Sequence, residues 1–501
     1  MLERRWYLVA ASVDPASAMA SLVQRPLQHH PYVDDSAAIT QTLESTPRAS
    51  AASGVVMAGR MVESGAVEHH YNGKIDSPAI FGRALAIEEL DGAFRRPLPE
   101  SLRASLVAAW DFSKGIESTK IVDIGPHGLD GEIGHLPARA MKGWNWDGST
   151  IRWTDRPEQY GAIHFHDDDL HDCGWEPDFA LTIPDTCRAA PTPPIVRLGD
   201  GDAPEDEDCI TFFVRPPRGT QSKTGRPSAA FLVPTASYMA YANDHSHLDA
   251  EGAEMLMGRL LVCQPTDLFL QEHREFGNAL YDTHSDGSGV CYSSYLRPIL
   301  NMRPKYASWL GAHGSGLWQF NGDTHLLDWL DHEGIEVDCI TDQDLEAEGV
   351  ALLEPYRVIL TGTHPEYHSK RMSDAMLAWQ GQGGRLMYLG ANGWYWRIAC
   401  HRYERGVIEV RRAEDGIRTW AAEPGEYYHS FTGEFGGLWR RNGRPPNEVV
   451  GLGFSAQGFD LSSYYRRKEG SFDPRAAFIF EGVGENELIG DFGLVGGVPP
   501  A

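Results

Sequence analysis

Residues 357–397 read RVILTGTHPEYHSKRMSDAMLAWQGQGGRLMYLGANGWYWR, and this stretch decides the fold. A short apolar run at 357–360 predicts a buried strand. Met372, Met376 and Trp379 then recur at helical spacing, Gly383 and Gly384 close that helix, and 386–389 predicts a second buried strand. Such a strand–helix–strand unit belongs to a parallel sheet, where ligands gather beyond the carboxyl ends of strands. His364, Glu366 and Asn392 each follow a predicted strand end, so a base, a carboxylate and an amide are expected at one crevice.

The alternation extends upstream. SAAFLVPTASYMAYAND holds an apolar strand at 229–233, THLLDWLDHEG predicts an amphipathic helix ending at Gly334, IEVDCITD a strand, and DLEAEGVALLEPY a helix. Residues 229–501 therefore read as one α/β domain. Residues 1–95 and 96–184 read instead as β-rich, with short strands broken by Gly and Asp turns such as GLDGEIGH and GWNWDG. Residues 185–228, rich in Pro, Asp and Gly, predict a linker. The fold class is α+β with several domains.

Composition narrows the function. The chain has 501 residues, 42% hydrophobic and 23% charged, as globular proteins do, and no apolar run approaches a membrane span. MLERRWYLVAASVD lacks the core of a secretory signal, so a cytoplasmic location is expected. The net charge of −26 argues against nucleic acid, whose phosphates need a basic field. Seven scattered cysteines form no C-x-x-C pair, which argues against a thiolate zinc site and fits a reducing compartment. Cys291, in SDGSGVCYSS, is the one in suggestive surroundings, and packing is its plainer role. The run HFHDDDLHD at 164–172 has the donors for a metal, but a solvated loop is the plainer reading, because local density does not supply convergence. There is no G-x-S-x-G elbow, P-loop or G-x-G-x-x-G.

PTASYMAYAND, NALYDTHSDGSGVCYSSYLRPILNMRP, TGTHPEYHS, GGRLMYLGANGWYWR and AFIFEGV, in this order, resemble the large (beta) subunit of N,N-dimethylformamidase. The resemblance implies concanavalin- or laminin G-like β-sandwich regions, carried here by segments such as HHYNGKIDSPAIFGRAL, followed by an α/β domain similar to class I glutamine amidotransferases. It implies hydrolysis of a small N-substituted amide to formate and dimethylamine, at a mononuclear iron, Fe3+, held by Tyr241, Tyr281 and Glu366, with Glu481, His364 and Asn392 as catalytic groups. A small subunit and self-association are implied partners. Residues alone leave two alternatives: an amidase for another or larger amide, and a non-catalytic carbohydrate-binding or assembly protein with a degenerate α/β domain. The family's large subunit begins before Met1 and runs past the final VPPA, and IPDTCRAAPTPPIVRLGDGDAPEDEDC fits its pattern poorly. The resemblance thus implies a chain lacking both ends, weakly active and poorly soluble alone.

Overall fold

The computed structural model describes residues 1–45, 54–184, 191–192, 195–197, 207–217, 228–245, 263–304, 306, 308, 319–413, 419–454 and 464–490. The chain forms two compact units. The first comprises Met1–Asp169, His284–Ser288 and Ala422–Phe435; the second comprises Leu170–Thr283, Gly289–Ala421 and Gly436–Ala501. Antiparallel sheets fill the first unit and a parallel sheet with helices lies in the second, so the α+β character holds.

In the first unit, Leu106–Asp111 lies between Ala79–Phe81 and Lys120–Asp123, with Gly131–Glu132 outermost. A second sheet sets Ala162–Phe165 between Ala138–Met141 and Gly73–Asp76. Ala108, Trp110 and Ile121 of one sheet share an apolar cluster with Ile163, Ile75 and Phe165 of the other, so the two sheets bury a common core. Strands on both sides of residue 95 pair here, Gly73–Asp76 with Ala162–Phe165 and Ala79–Phe81 with Leu106–Asp111, so the expected division at 95 runs through a single core. The segment 422–435 is tied in by Glu426, which takes Lys74 Nζ at 2.6 Å and the Lys142 backbone N–H at 2.9 Å.

A separate meander, Tyr7–Asp14, Met19–Pro26 and Ala37–Thr42, pairs in register, with Ala11 opposite Leu22 and Leu22 opposite Ile39. Val9, Leu22 and Ile39 on one face are 64%, 57% and 61% exposed, so this face carries apolar side chains into solvent.

The second unit is built on a parallel sheet in the order Asp338–Thr341, Ala229–Val233, Val358–Thr361, Arg385–Met387. The strands Asp338–Thr341, Ala229–Val233 and Val358–Thr361 are buried on both faces, as a sheet covered on both sides requires, while Arg385–Met387 at the edge, where a buried strand was expected, exposes Arg385 and Met387. Ala230, Leu232, Ile340 and Ile359 pack beneath Leu345, Leu352, Met372, Met376 and Trp379. Phe231, Val233, Cys339 and Leu360 face the other way, against Tyr238, Phe320 and Leu330. Two helices read from sequence form as Phe320–His332 and Lys370–Gly381, the latter capped by Ser369 Oγ accepting Met372 N–H at 3.1 Å, and the single helix expected in DLEAEGVALLEPY is split at Gly349 into Asp342–Glu348 and Val350–Leu353.

Beyond residue 366 the sequence reading missed an element. Tyr367–Ser369 forms a strand parallel to Trp396–Cys400, and that strand continues to Val407–Val410 and Tyr292–Ser294 in a mixed sheet. The expected linker, 185–228, lies mostly outside the described residues; Glu207–Cys209 and Phe212–Phe213 within it are strands. Among the described residues, no helix is long and apolar enough to cross a membrane.

Candidate active site

Four segments of the second unit converge beyond the carboxyl ends of the parallel strands. Strand Ala229–Val233 runs through Pro234 into the helix Thr235–Ala240, which delivers Tyr241 at its end. Asn243 locks that end in a left-handed turn, φ 60°, by donating from Nδ2 to the carbonyls of Phe276 and Pro298 at 3.0 and 2.8 Å. The Leu280 N–H reaches the Ala240 carbonyl at 2.9 Å and sets Tyr281 beside Tyr241.

The strand Val358–Thr361 supplies the turn with His364 and Glu366. Asp323 Oδ1 takes the Thr363 hydroxyl at 2.8 Å, and Ser237 Oγ takes the Glu366 N–H at 3.0 Å, so the turn is fixed from two helices. Gly362 is required there, because a Cβ would lie 2.6 Å from both Asp323 Oδ2 and Pro234 Cδ. The turn after Arg385–Met387 folds over the same place: the Ala391 N–H reaches Thr363 O at 2.9 Å and the Tyr395 N–H reaches Glu366 O at 3.0 Å. A Cβ on Gly390 would collide with Pro365.

The side chains meet as oxygen atoms. Tyr241 Oη lies 2.6 Å from Tyr281 Oη and 2.8 Å from Glu366 Oε2, and Tyr281 Oη lies 3.0 Å from the same carboxylate atom. His364 Nε2 stands 3.0 Å from Glu366 Oε2 and 3.4 Å from Tyr241 Oη. The two phenol rings stack, with centroids 4.3 Å apart. Tyr241, His364 and Glu366 are buried and Tyr281 is partly so. Burial, and then the Glu366 charge, raise both phenols well above their ordinary pKa, so without a cation they stay protonated and share hydrogen bonds with the carboxylate.

Two further residues join the group. Tyr367 donates to Tyr281 Oη at 2.7 Å, and Arg412 Nη2 donates to Tyr367 Oη at 2.9 Å. The Arg412 guanidinium, fully buried, lies 4.4 Å over the Tyr281 ring and 4.6 Å over Trp396. No sequence pattern flagged either one. Tyr367 directly follows Glu366, but its strand was not foreseen; Arg412, in VRRAED, lies just past the strand Val407–Val410, and its burial shows only once that strand is seen to lie between two others.

The other expected residues fare differently. Asn392 sits in the overlying turn with φ 52°, and its buried side-chain Oδ1 has no hydrogen-bond partner among the described residues. Glu481 is not brought to the group. It stands exposed after the short helical turn Pro474–Phe480, with Phe478 and Ile479 exposed beside it, and makes no hydrogen bond or ion pair among the described residues. Cys291 is buried, with its thiol on the Gly289 carbonyl at 3.5 Å, as a packing residue would be. Among the described residues, no cysteine forms a disulfide.

The oxygen set fits a hard cation. Adjacent oxygen ligands on a small ion at about 2.0–2.1 Å stand roughly 2.8–3.0 Å apart in octahedral geometry. The 2.6–3.0 Å triangle of Tyr241, Tyr281 and Glu366 has that spacing. The HFHDDDLHD reading needs correction: His166 is buried and His164 half-buried, in the first unit, against residues of the 284–288 turn rather than solvated.

Residues 138–498 match the family described as N,N-dimethylformamidase beta subunit-like, C-terminal. The chain is 38% identical over 521 aligned positions to the N,N-dimethylformamidase beta subunit of Paracoccus aminophilus, and 36% identical over 517 to that of an Alcaligenes species. Each match takes in 99% of this chain and 66% of the relative, so the chain spans just under two thirds of the length of these proteins.

Proposed function

Because the chain belongs to the N,N-dimethylformamidase beta subunit-like family, we propose that it carries the hydrolytic site of a small-amide hydrolase. Water adds to the carbonyl carbon of a short N-substituted formamide such as N,N-dimethylformamide, the C–N bond breaks with a proton delivered to nitrogen, and formate and dimethylamine leave. The supporting observation is the buried oxygen triangle of Tyr241, Tyr281 and Glu366, drawn from three separate segments.

In this reading those three residues hold one trivalent iron, which supplies Lewis-acid polarisation and a lowered water pKa. Two phenolates and a carboxylate offer three negative charges, which suits a trivalent ion better than a divalent one. Arg412 steadies the phenolate of Tyr281 through its charge and through Tyr367. His364, within hydrogen-bond reach of Glu366, moves the proton between attacking water and departing amine. Asn392 presents its amide toward charge developing on the carbonyl oxygen. Glu481, expected by resemblance to share the proton transfer, is the rival to His364, and comparison of the two variants decides between them. A second, smaller subunit, self-association and a reducing cytoplasm complete the proposal; described cysteines outside disulfides suit that compartment.

The test is metal analysis, a visible spectrum and dimethylamine release, on the chain alone and co-expressed with a small subunit. Tyr241→Phe and Tyr281→Phe should lose iron and the phenolate colour together. His364→Gln should keep iron and lose about 10²- to 10⁴-fold in rate, the usual worth of a general acid–base group. A colourless wild-type protein with full turnover would sink the reading.

A further inference from the structure

The first unit holds a second donor cluster, independent of the tyrosine–glutamate group. The strand Ala162–Phe165 ends in His166, and the turn after it carries Asp168 and Asp169. Against them lies the turn 284–288, closed by His284 N–H on Ser288 O and Gly287 N–H on His284 O, both at 2.8 Å. His166 Nδ1 stands 3.1 Å from Asp169 Oδ1, and His284 Nε2 stands 3.8 Å from the same oxygen. The two imidazoles stack, parallel to within 3° and 3.6 Å apart, so one ring must turn out of the stack before both lone pairs can reach one ion.

The outer contacts determine which atoms face inward. His284 Nδ1 donates to Asp168 Oδ1 at 2.6 Å, so when the ring is neutral its Nε2 lone pair faces Asp169. His166 Nε2 pairs with Ser288 Oγ at 2.9 Å, leaving Nδ1 toward the same carboxylate. Asp169 is itself aimed, because its Oδ2 accepts the His166 backbone N–H at 3.0 Å. Ring nitrogens oriented by a carboxylate or hydroxyl on their far side are the usual outer shell of a metal-binding histidine. Donors about 2.0–2.2 Å from one tetrahedral zinc ion stand roughly 3.3–3.6 Å apart, and the observed 3.1 and 3.8 Å fall on either side of that range.

We propose that His166, Asp169 and His284 bind one divalent transition-metal ion, zinc foremost, which clamps the 284–288 turn to the strand end. Two imidazoles and one carboxylate are a borderline set that favours zinc over calcium or magnesium. The clamp is structural rather than hydrolytic: the side chains of His166, Asp169 and His284 are only 1%, 12% and 6% exposed, too little to admit a substrate. The rival is a purely hydrogen-bonded histidine–aspartate cluster with a proton in place of the ion.

The test titrates full-length protein, freed of metal and of any histidine tag, with zinc alone against a chromophoric zinc indicator. One tight equivalent is expected. It should persist in Tyr241→Phe/Tyr281→Phe, which separates it from the proposed iron centre. It should be lost in His284→Gln and weakened about 10- to 100-fold in Asp168→Asn, the usual cost of removing an outer-shell partner. Zinc-edge X-ray absorption on the wild type, which needs no variant to fold, should show scattering from two imidazoles. Absence of a tight equivalent, its survival in a folded His284→Gln protein, or a spectrum without imidazole scattering would overturn the proposal.

Discussion

At the scale of single residues, the group around Glu366 separates oxygens that can face an ion from those that tune them. Tyr367 touches Tyr281, not Glu366, and is anchored by Arg412. Tyr367→Phe should therefore keep full iron content while shifting the phenolate absorption band. It should also cost about 1–3 kcal/mol in a denaturation curve, since the buried guanidinium loses an acceptor. Loss of iron in that variant would make Tyr367 a ligand. His364 and Glu366 could be picked out because they follow a predicted strand end, whereas Tyr241 and Tyr281 could be picked out only because they stand in ordered, family-like blocks; nothing in composition or spacing marks two of nineteen tyrosines. Arg412 escaped notice because burial of an arginine depends on neighbours such as Trp396 across the sheet, which a linear reading does not supply.

At the scale of elements, the strand–helix–strand reading of 357–397 transfers in order and type, because the two-sided burial of the first strand and the buried apolar face of the helix leave a direct imprint, but the second strand, expected to be buried, lies at the sheet edge with Arg385 and Met387 exposed. The short strand Tyr367–Ser369 left no comparable imprint; three residues are too few for a period. The same two-sided burial creates a pH effect. Asp342, opening the helix Asp342–Glu348, is buried and accepts the Ala236 N–H at 3.0 Å. Burial, reinforced by Asp323 and Asp344, pushes its carboxyl up to about 8. The folded protein thus keeps a proton that the unfolded chain sheds near the ordinary value. The associated stability is fully present below about pH 4 and is lost as pH rises toward 8. Asp342→Asn, which cannot ionise, should flatten this slope: urea midpoints of wild type should fall between pH 5 and pH 8 by more than those of the variant. Parallel midpoints in the two proteins would show that Asp342 is ionised in the fold.

At the scale of the whole molecule, the meander of residues 7–42 presents Val9, Leu22 and Ile39 to solvent on one face. Such a patch promotes association. Leu22→Thr with Ile39→Thr, which retain strand preference, should raise the concentration at which light scattering sets in, with stability changed by less than about 0.5 kcal/mol at these exposed sites. Equal scattering onset would clear this face of blame. The sequence hinted at β structure here but divided the first unit at residue 95, because strand partners far apart in the chain leave no local mark. The same blindness hid the meeting of residues 164–169 with 284–288. That meeting, with the return of 422–435, has a consequence for synthesis. The first unit cannot be completed when Asp169 emerges from the ribosome; it waits for Phe435, 435 − 169 = 266 residues later. At roughly 5–20 residues per second, that is about ten to fifty seconds during which the first unit lacks the contacts that 422–435 makes with Lys74, Lys142 and Trp153. A ribosome-stalled chain ending shortly after residue 169 should be cleaved by protease within its first unit, and one stalled well beyond 435 should resist. Nascent-chain chaperones therefore have a defined interval in which this protein needs them.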